Sequence, residues 1–251
     1  YNPLTKPNTY KSNKNPNYWK NKMPYEGYWQ QDVHYVIKAE VIDTLNMIKA
    51  SQDLTYTNNS PDDLNYVFFH LYANAFEPDS YLDKFRKGNK MKTIFREDEM
   101  KKKNLEINSI SSDGESLDIE IDNTVMKVFL NEPLKSGETI KFNIDFESHF
   151  GGDENTGNVR RRMKTYTEFG NKHYNGVHWY PRISVYDSKF GWTTDQHLGK
   201  EFYGNFGCFD VELTFPDNYI VEATGFMTNR DEVLPNELMK KLDIKNFADK
   251  K

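Results

Sequence analysis

Apolar residues recur at every second position along much of the chain, and this period restricts the fold more than any other feature of the sequence. In TIKFNIDF, from Thr139 to Phe146, isoleucine and phenylalanine alternate with lysine, asparagine and aspartate. FDVELTFP, from Phe209 to Pro216, repeats the pattern and ends at a proline, which closes a strand. Successive side chains of a strand point to opposite faces, so each segment is predicted to have one buried face and one solvated face.

Other segments extend the same pattern. HYVIKAEVID, MIKASQDLTYTN and LNYVFFHLYAN indicate three longer strands, and LDIEID with MKVFL indicates a hairpin that turns at Asp122-Asn123. Aromatic residues make up 15% of the chain against a hydrophobic total of 37%, which favours sheets over helix bundles. Because short turns separate the strands, we predict an all-β fold: a mostly antiparallel, saddle-like or sandwich domain with one or two short surface helices.

Composition divides the chain into three parts. Residues 1–27 are rich in proline and asparagine and are predicted to form an extended linker or strap. Residues 28–230 carry the strand patterns and form the β-domain, within which the densely charged residues 77–104 are predicted to be a helical or mobile insertion. Residues 231–251 are predicted to be a short helix, starting near Pro235, and a polar tail.

Charge, cysteine content and hydropathy exclude several classes of protein. The net charge of -5 gives no general electrostatic reason to bind nucleic acid, so no nucleic-acid partner is expected. One cysteine cannot form a disulfide within the chain. We find no apolar run of the ~20 residues that a membrane-spanning helix needs. The linker-like start at Tyr1 rather than Met favours a processed protein in an extracytoplasmic setting, the periplasm or cell envelope.

The histidines and glycines do not form a recognised catalytic motif. None of the six histidines lies in H-E-x-x-H, and His173 and His178 are five positions apart, which sends them to opposite faces of a strand. We therefore expect structural histidines rather than a metal pair, with no catalytic residue, no metal site and no cofactor in this chain. GGDENTGN lacks the Gly-Lys-Ser/Thr of a phosphate loop and is interpreted as an exposed loop.

Two further clusters have simple structural interpretations. The three consecutive arginines at 160–162 cannot share one face of a strand, so they are interpreted as rim charges rather than an anion clamp. Trp179 and Pro181 point away from Tyr180 on a strand, so the three do not form a continuous sugar-stacking platform. We expect this run to pack into the domain or against a neighbouring one.

The region from about Tyr28 to Thr228 resembles the N-terminal β-domain of zinc aminopeptidases of the aminopeptidase N family, which are gluzincin metallopeptidases. The resemblance is to the branch found in Bacteroidetes-like bacteria, with its W-[FY]-P-[RK]-x-x-V-Y-D core, a following Gly-Trp, a strand ending in Pro and an ATG turn. The matching residues here are Trp179, Tyr180, Pro181, Arg182, Val185, Tyr186, Asp187, Gly191, Trp192, Pro216, Ala223, Thr224 and Gly225.

The resemblance implies a non-catalytic domain of an enzyme that removes N-terminal residues from peptides. The zinc and the H-E-x-x-H motif would belong to the protein's own C-terminal catalytic domain, which would be the partner of this chain, and the chain alone would be inactive. In this family the N-terminal domain also helps to shape the active-site cleft and holds the substrate α-amino group with an acidic or amide side chain in a T-Q-F-E-like segment. Thr167, Glu168 and Phe169 give the nearest match, which makes Glu168 and Phe169 candidate substrate-binding residues.

His178, directly before Trp179, is a further candidate for binding the substrate. Two alternatives remain open on the sequence. The first is a carbohydrate- or protein-binding β-sandwich module without peptidase activity, and the second is a scaffold of the same descent whose enzyme half was lost.

Overall fold

Strands dominate the structure, a computed structural model that describes residues 25–91, 103–151, 163–168, 170–199 and 202–247. The strands are β1 Asp32–Ile42, β2 Met47–Thr57, β3 Leu64–His70, β4 Leu105–Ser112, β5 Glu115–Ser116, β6 Ile119–Asp122, β7 Val125–Leu134, β8 Thr139–His149, β9 Met163–Glu168, β10 Asn171–Gly176, β11 Arg182–Ile183, β12 Tyr186–Asp187, β13 Gly191–Trp192 and β14 Cys208–Thr214. The α-helices are α1 Tyr81–Gly88, α2 Arg230–Val233 and α3 Asn236–Lys241, and 3-10 helices span Tyr72–Phe76 and Ile244–Asn246.

The strands form two main sheets and two small hairpins. The larger sheet has the order β14-β1-β2-β8-β4-β5, and the smaller has the order β11-β3-β7-β6. β9 with β10 and β12 with β13 form the hairpins. Within the described residues every strand pair is antiparallel except β1 with β14, which is parallel. The predicted all-β, mostly antiparallel fold is therefore confirmed.

The core lies between the two main sheets. β2 pairs with β1 and with β8 over eleven residues each, so their inward side chains form continuous rows. Tyr35, Leu54 and Phe142 are neighbours in one such row, and all three are buried. Phe69 of the smaller sheet meets the Phe142 ring edge-on, with ring centroids 5.7 Å apart. Burying side chains of this size contributes about 1.5–3 kcal/mol each, so this layer holds the two sheets together.

The two alternating segments TIKFNIDF and FDVELTFP differ in how deeply their apolar faces are buried. In β8, Phe142, Ile144 and Phe146 are buried as the period predicts. In β14, residues on both faces are exposed, and Phe209 and Val211 retain 44% and 46% of their surface. β14 is an edge strand with β1 as its one neighbour in the described chain, so the burial predicted for its apolar face is wrong.

Local signals fix the shorter elements. The β6–β7 hairpin turns at Asn123, whose φ of 51° is a left-handed conformation that asparagine tolerates well. Ser80 caps α1 by accepting a hydrogen bond from the backbone N–H of Asp83. Among the described residues, no helix has both the length and the apolar character needed to span a bilayer.

Candidate functional site

The stretch that follows β10 connects both main sheets. The carbonyl of Pro181 accepts a hydrogen bond of 3.1 Å from the side-chain amide of Gln52 in the larger sheet. β11 then pairs with β3 of the smaller sheet. The backbone N–H of Ile183 donates a hydrogen bond of 3.1 Å to the hydroxyl of Tyr35, which lies in β1 of the larger sheet. The segment that carries the family resemblance is thus a bridge across the core.

The aromatic side chains of this bridge pack inward. The Trp179 ring lies 6.2 Å from the Phe146 ring, and Tyr180 meets the buried Tyr35 at 5.6 Å. Both side chains are partly buried against the main core. The prediction that this run packs into the domain is confirmed, and the two rings do not form an exposed platform.

Asp187 organises the next turn. Its side chain is 1% exposed, and its Oδ1 accepts hydrogen bonds from the backbone N–H groups of Lys189 (3.0 Å) and Phe190 (2.8 Å). The Tyr203 hydroxyl donates to its other oxygen. Burial is the main cause that raises the pKa of the Tyr203 phenol above its usual value, and the Asp187 carboxylate raises it further. The phenol therefore stays protonated and remains a hydrogen-bond donor. Asp187 therefore has a structural role in joining this turn to the segment that contains Tyr203.

Arg182 makes a second connection to that later segment. Its Nη2 donates a hydrogen bond of 3.1 Å to the carbonyl of Asn205. The guanidinium lies directly over Gly204, where any side chain would collide with it. The arginine of the family-like motif is therefore held by backbone on its far side, and the glycine is required for that close approach.

His178 is the predicted site residue that the structure places most clearly. Its φ of 57° is unusual for a residue with a Cβ. The ring lies edge-on to Tyr72 with centroids 5.3 Å apart, and 4.1 Å from the Phe202 ring. It borders a small, partly open pocket with a cavity volume of about 10 Å³, lined by Tyr72, Ala73, Phe76, Asn104, Met163, Val177 and His178. The pocket wall is mainly apolar, with an imidazole and an amide on it.

Two more histidines surround Tyr72. His70 is buried and stacks on the Tyr72 ring with centroids 4.6 Å apart, and the His197 ring lies edge-on to Tyr72 with centroids 5.9 Å apart. Burial is the main cause that lowers the pKa of His70 to about 4, so its ring is neutral at pH 7. Burial also raises the pKa of the Tyr72 phenol to about 12. Two of the rings behind the pocket, those of His70 and Tyr72, are thus neutral at pH 7.

The described residues do not form a zinc site. Within the described ranges, no group of three or more His, Cys, Asp or Glu side chains is arranged to hold a metal ion. His173 is exposed on β10, whereas His178 packs against Tyr72.

The other two predicted site residues are not placed. Glu168 ends β9, but its side chain lies outside the described residues, as does all of Phe169.

Sequence reasoning also missed Tyr72, which belongs to the 3-10 helix and contacts the rings of three histidines. The alternating pattern up to LNYVFFHLYAN suggested a continuous strand there, and only the contacts with distant rings reveal its place in the pocket.

Comparisons with known proteins give distant likenesses. No protein-family model and no curated protein matches the chain. A crystal structure of an M1 zinc metallopeptidase mutant from Deinococcus radiodurans with a Tyr-Ser-Ala substrate is 15% identical, with a TM-score of 0.45, and the match covers 80% of this chain and 36% of that chain. The same organism's M1 zinc metallopeptidase in another crystal structure is 14% identical, with a TM-score of 0.32 over 48% of this chain and 21% of that one. This chain therefore spans a fifth to about a third of those proteins, and these values do not assign it to a family.

Proposed function

We propose that this chain is the non-catalytic N-terminal domain of a zinc aminopeptidase, and that it helps to shape the active-site cleft and binds the α-amino end of a peptide. The C-terminal catalytic domain of the same protein would be its partner, and zinc with an H-E-x-x-H motif in that domain would supply the hydrolytic chemistry. An extracytoplasmic location is part of the same proposal.

One observation carries this proposal: His178 borders the apolar pocket immediately before the bridge that holds the family-like residues. Trp179 next to it is anchored on Phe146, so the backbone that presents His178 is fixed to the core. A neutral imidazole nitrogen accepts a hydrogen bond from an ammonium group, and the apolar residues beside His178 offer a surface against which the first side chain of a peptide would lie. Glu168 is the second proposed contact, because a carboxylate forms a charge-assisted hydrogen bond with an ammonium.

A binding experiment with matched peptides tests the proposal. We expect a tripeptide with a free amino group and an apolar first residue to bind the chain at least about tenfold more tightly than its N-acetylated form, a difference of ~1.4 kcal/mol. His178→Phe, which preserves the ring contacts, should reduce this preference, and Glu168→Gln should do the same. His173→Phe, at an exposed position of β10, is the matched control and should leave the preference unchanged.

Two results would contradict the proposal. Equal affinity for the free and N-acetylated peptides would remove the role in amino-group binding. Zinc-dependent release of N-terminal residues by this chain alone, measured with a fluorogenic amino-acid amide, would show that the domain is itself catalytic.

The outer face of the smaller sheet favours a second candidate, a carbohydrate-binding module. Tyr66 and Phe129 are cross-strand neighbours and are exposed there, and the Lys127 ammonium lies 4.1 Å and 4.7 Å from their ring centroids. Aromatic rings beside a polar group are a common surface for sugars. Retarded migration in polysaccharide-containing gels, abolished by Tyr66→Ala with Phe129→Ala, would favour this function over the first.

A further inference from the structure

We infer that the edge of β14 that no described strand covers binds an extended segment of a partner protein in which apolar and basic residues alternate. This inference concerns a different surface from the His178 pocket and does not depend on the proposed function.

The backbone of β14 is suited to strand addition. It pairs with β1 in unbroken register over seven residues, from Cys208 to Thr214, and no described strand pairs with its other side. The N–H and C=O groups of alternate residues therefore point away from β1. Edge strands are commonly protected by proline, lysine or a bulge, and β14 has none of these between its first and last residues. A peptide strand that pairs here would satisfy these backbone groups.

The apolar face of β14 continues the core layer and is only partly covered, since the Tyr180 ring meets Phe209 edge-on at 5.9 Å. Phe209 stacks on Tyr35 with ring centroids 4.6 Å apart and nearly parallel planes. Tyr35 is 2% exposed, whereas Phe209 and Val211, two residues apart on the same face, are both more than two-fifths exposed. Alternate apolar residues of an added strand would lie beside these two side chains and extend the layer.

The opposite face of β14 supplies the charge preference. Asp210 and Glu212 project from it, and their side chains are 75% and 68% exposed. One oxygen of Asp210 contacts His34 at 2.8 Å, and one oxygen of Glu212 lies 3.8 Å from the Lys38 ammonium. Both carboxylates remain largely exposed, so a basic side chain on an added strand would pair with them.

The same charges disfavour a second copy of this chain as the occupant. An antiparallel pair of β14 strands centred on Val211 would place each Asp210 opposite a Glu212. Like charges directly opposite on a sheet face destabilise the pair. The acidic alternation thus favours a strand that carries basic residues over a second β14.

Synthetic peptides test this inference on the complete chain. One fluorescent peptide alternates valine with lysine, and its partner alternates valine with glutamate. Fluorescence anisotropy should show at least about tenfold tighter binding of the lysine peptide. The double variant Asp210→Lys with Glu212→Lys should reverse the preference, because it reverses the charge of the edge. Glu132→Lys, at an exposed position of β7, is the control and should leave the preference for the lysine peptide intact.

Two further measurements locate the peptide and its mode of binding. Cys208 is exposed and is the single cysteine of the chain, so bound lysine peptide should slow its alkylation by iodoacetamide. N-methylation of alternate residues on the pairing edge of the peptide should abolish binding, because it removes the N–H donors. The inference is overturned if neither peptide binds, if both bind equally, if the double variant keeps the original preference, or if binding leaves Cys208 fully reactive. Concentration-dependent dimers that protect Cys208 without any peptide would also overturn it, in favour of a second copy.

Discussion

Two buried tyrosines offer the same chemical change in opposite hydrogen-bonding environments. The hydroxyl of Tyr35 accepts the backbone N–H of Ile183 at 3.1 Å, in the bridge that carries the candidate site. The hydroxyl of Tyr56 is fully buried, and the nearby Gln31 side chain does not reach it with normal hydrogen-bond geometry. Both side chains are at most 2% exposed, so replacement by phenylalanine removes one buried oxygen in each case.

The expected stability changes differ in size. Tyr35→Phe leaves the buried N–H of Ile183 without a partner, and an unsatisfied buried donor costs about 1–3 kcal/mol. Tyr56→Phe removes a buried hydroxyl that makes no hydrogen bond with any described residue, so the free energy of unfolding should stay the same or rise by up to about 1 kcal/mol. The pair therefore separates the value of one hydrogen bond from the effect of changing the ring.

Urea unfolding followed by tryptophan fluorescence measures both changes, with equal slopes as evidence that the same surface unfolds. Amide hydrogen exchange should also become faster at Ile183 in Tyr35→Phe but not in Tyr56→Phe. Equal losses of stability in the two variants, or unchanged exchange at Ile183, would refute the reasoning that this hydrogen bond anchors the bridge.

Three other substitutions test the remaining contacts. His70→Phe keeps the ring stack but removes the imidazole. In the wild type the pKa of His70 is lowered from 6.5 to about 4, mainly by burial and with contributions from Arg182 and His197. The wild type therefore has about 3 kcal/mol of stability above pH 6.5 that it loses as the pH falls towards 4. Acid unfolding curves should show this loss in the wild type and a smaller loss in the variant. Gly207→Ala would place a Cβ 2.8 Å from the Val33 carbonyl oxygen and should cost about 1–3 kcal/mol in thermal unfolding, whereas Gly88→Ala, with open space around it, should be neutral or slightly stabilising. Asp187→Ala should cost about 3 kcal/mol or more in urea unfolding, because it leaves two backbone N–H groups and the Tyr203 hydroxyl without their acceptor, and an unchanged midpoint would contradict its structural role.

The sequence predicts side-chain alternation well because alternation is a local property of a strand. The burial of Phe142 and Phe146 and the turn at Asn123 follow from neighbouring residues alone. Alternation predicts which face of the sheet a side chain takes, but it does not predict whether another layer covers that face. The exposure of Phe209 and Val211 was therefore not predictable from the period.

The candidate site was predictable only in part, for a related reason. His178 was identified from its place beside the aromatic-proline motif, but its pocket depends on Tyr72, more than a hundred positions earlier in the chain. The Asp187 carboxylate bonds to nearby N–H groups and to Tyr203, which no spacing rule connects. Contacts of this kind depend on how the sheets stack, which a single sequence does not specify.

The pairing of β1 with β14 has a consequence for how the protein is made. His34 lies beside Cys208, so β1 completes its hydrogen bonding only after the much later strand β14 has been synthesised. Contacts between such distant positions are slow to form, because closing a long loop costs entropy before the contact repays it. During that interval one side of the nascent strand is exposed to other chains, and this is the stage at which a chaperone would most improve the yield of folded protein.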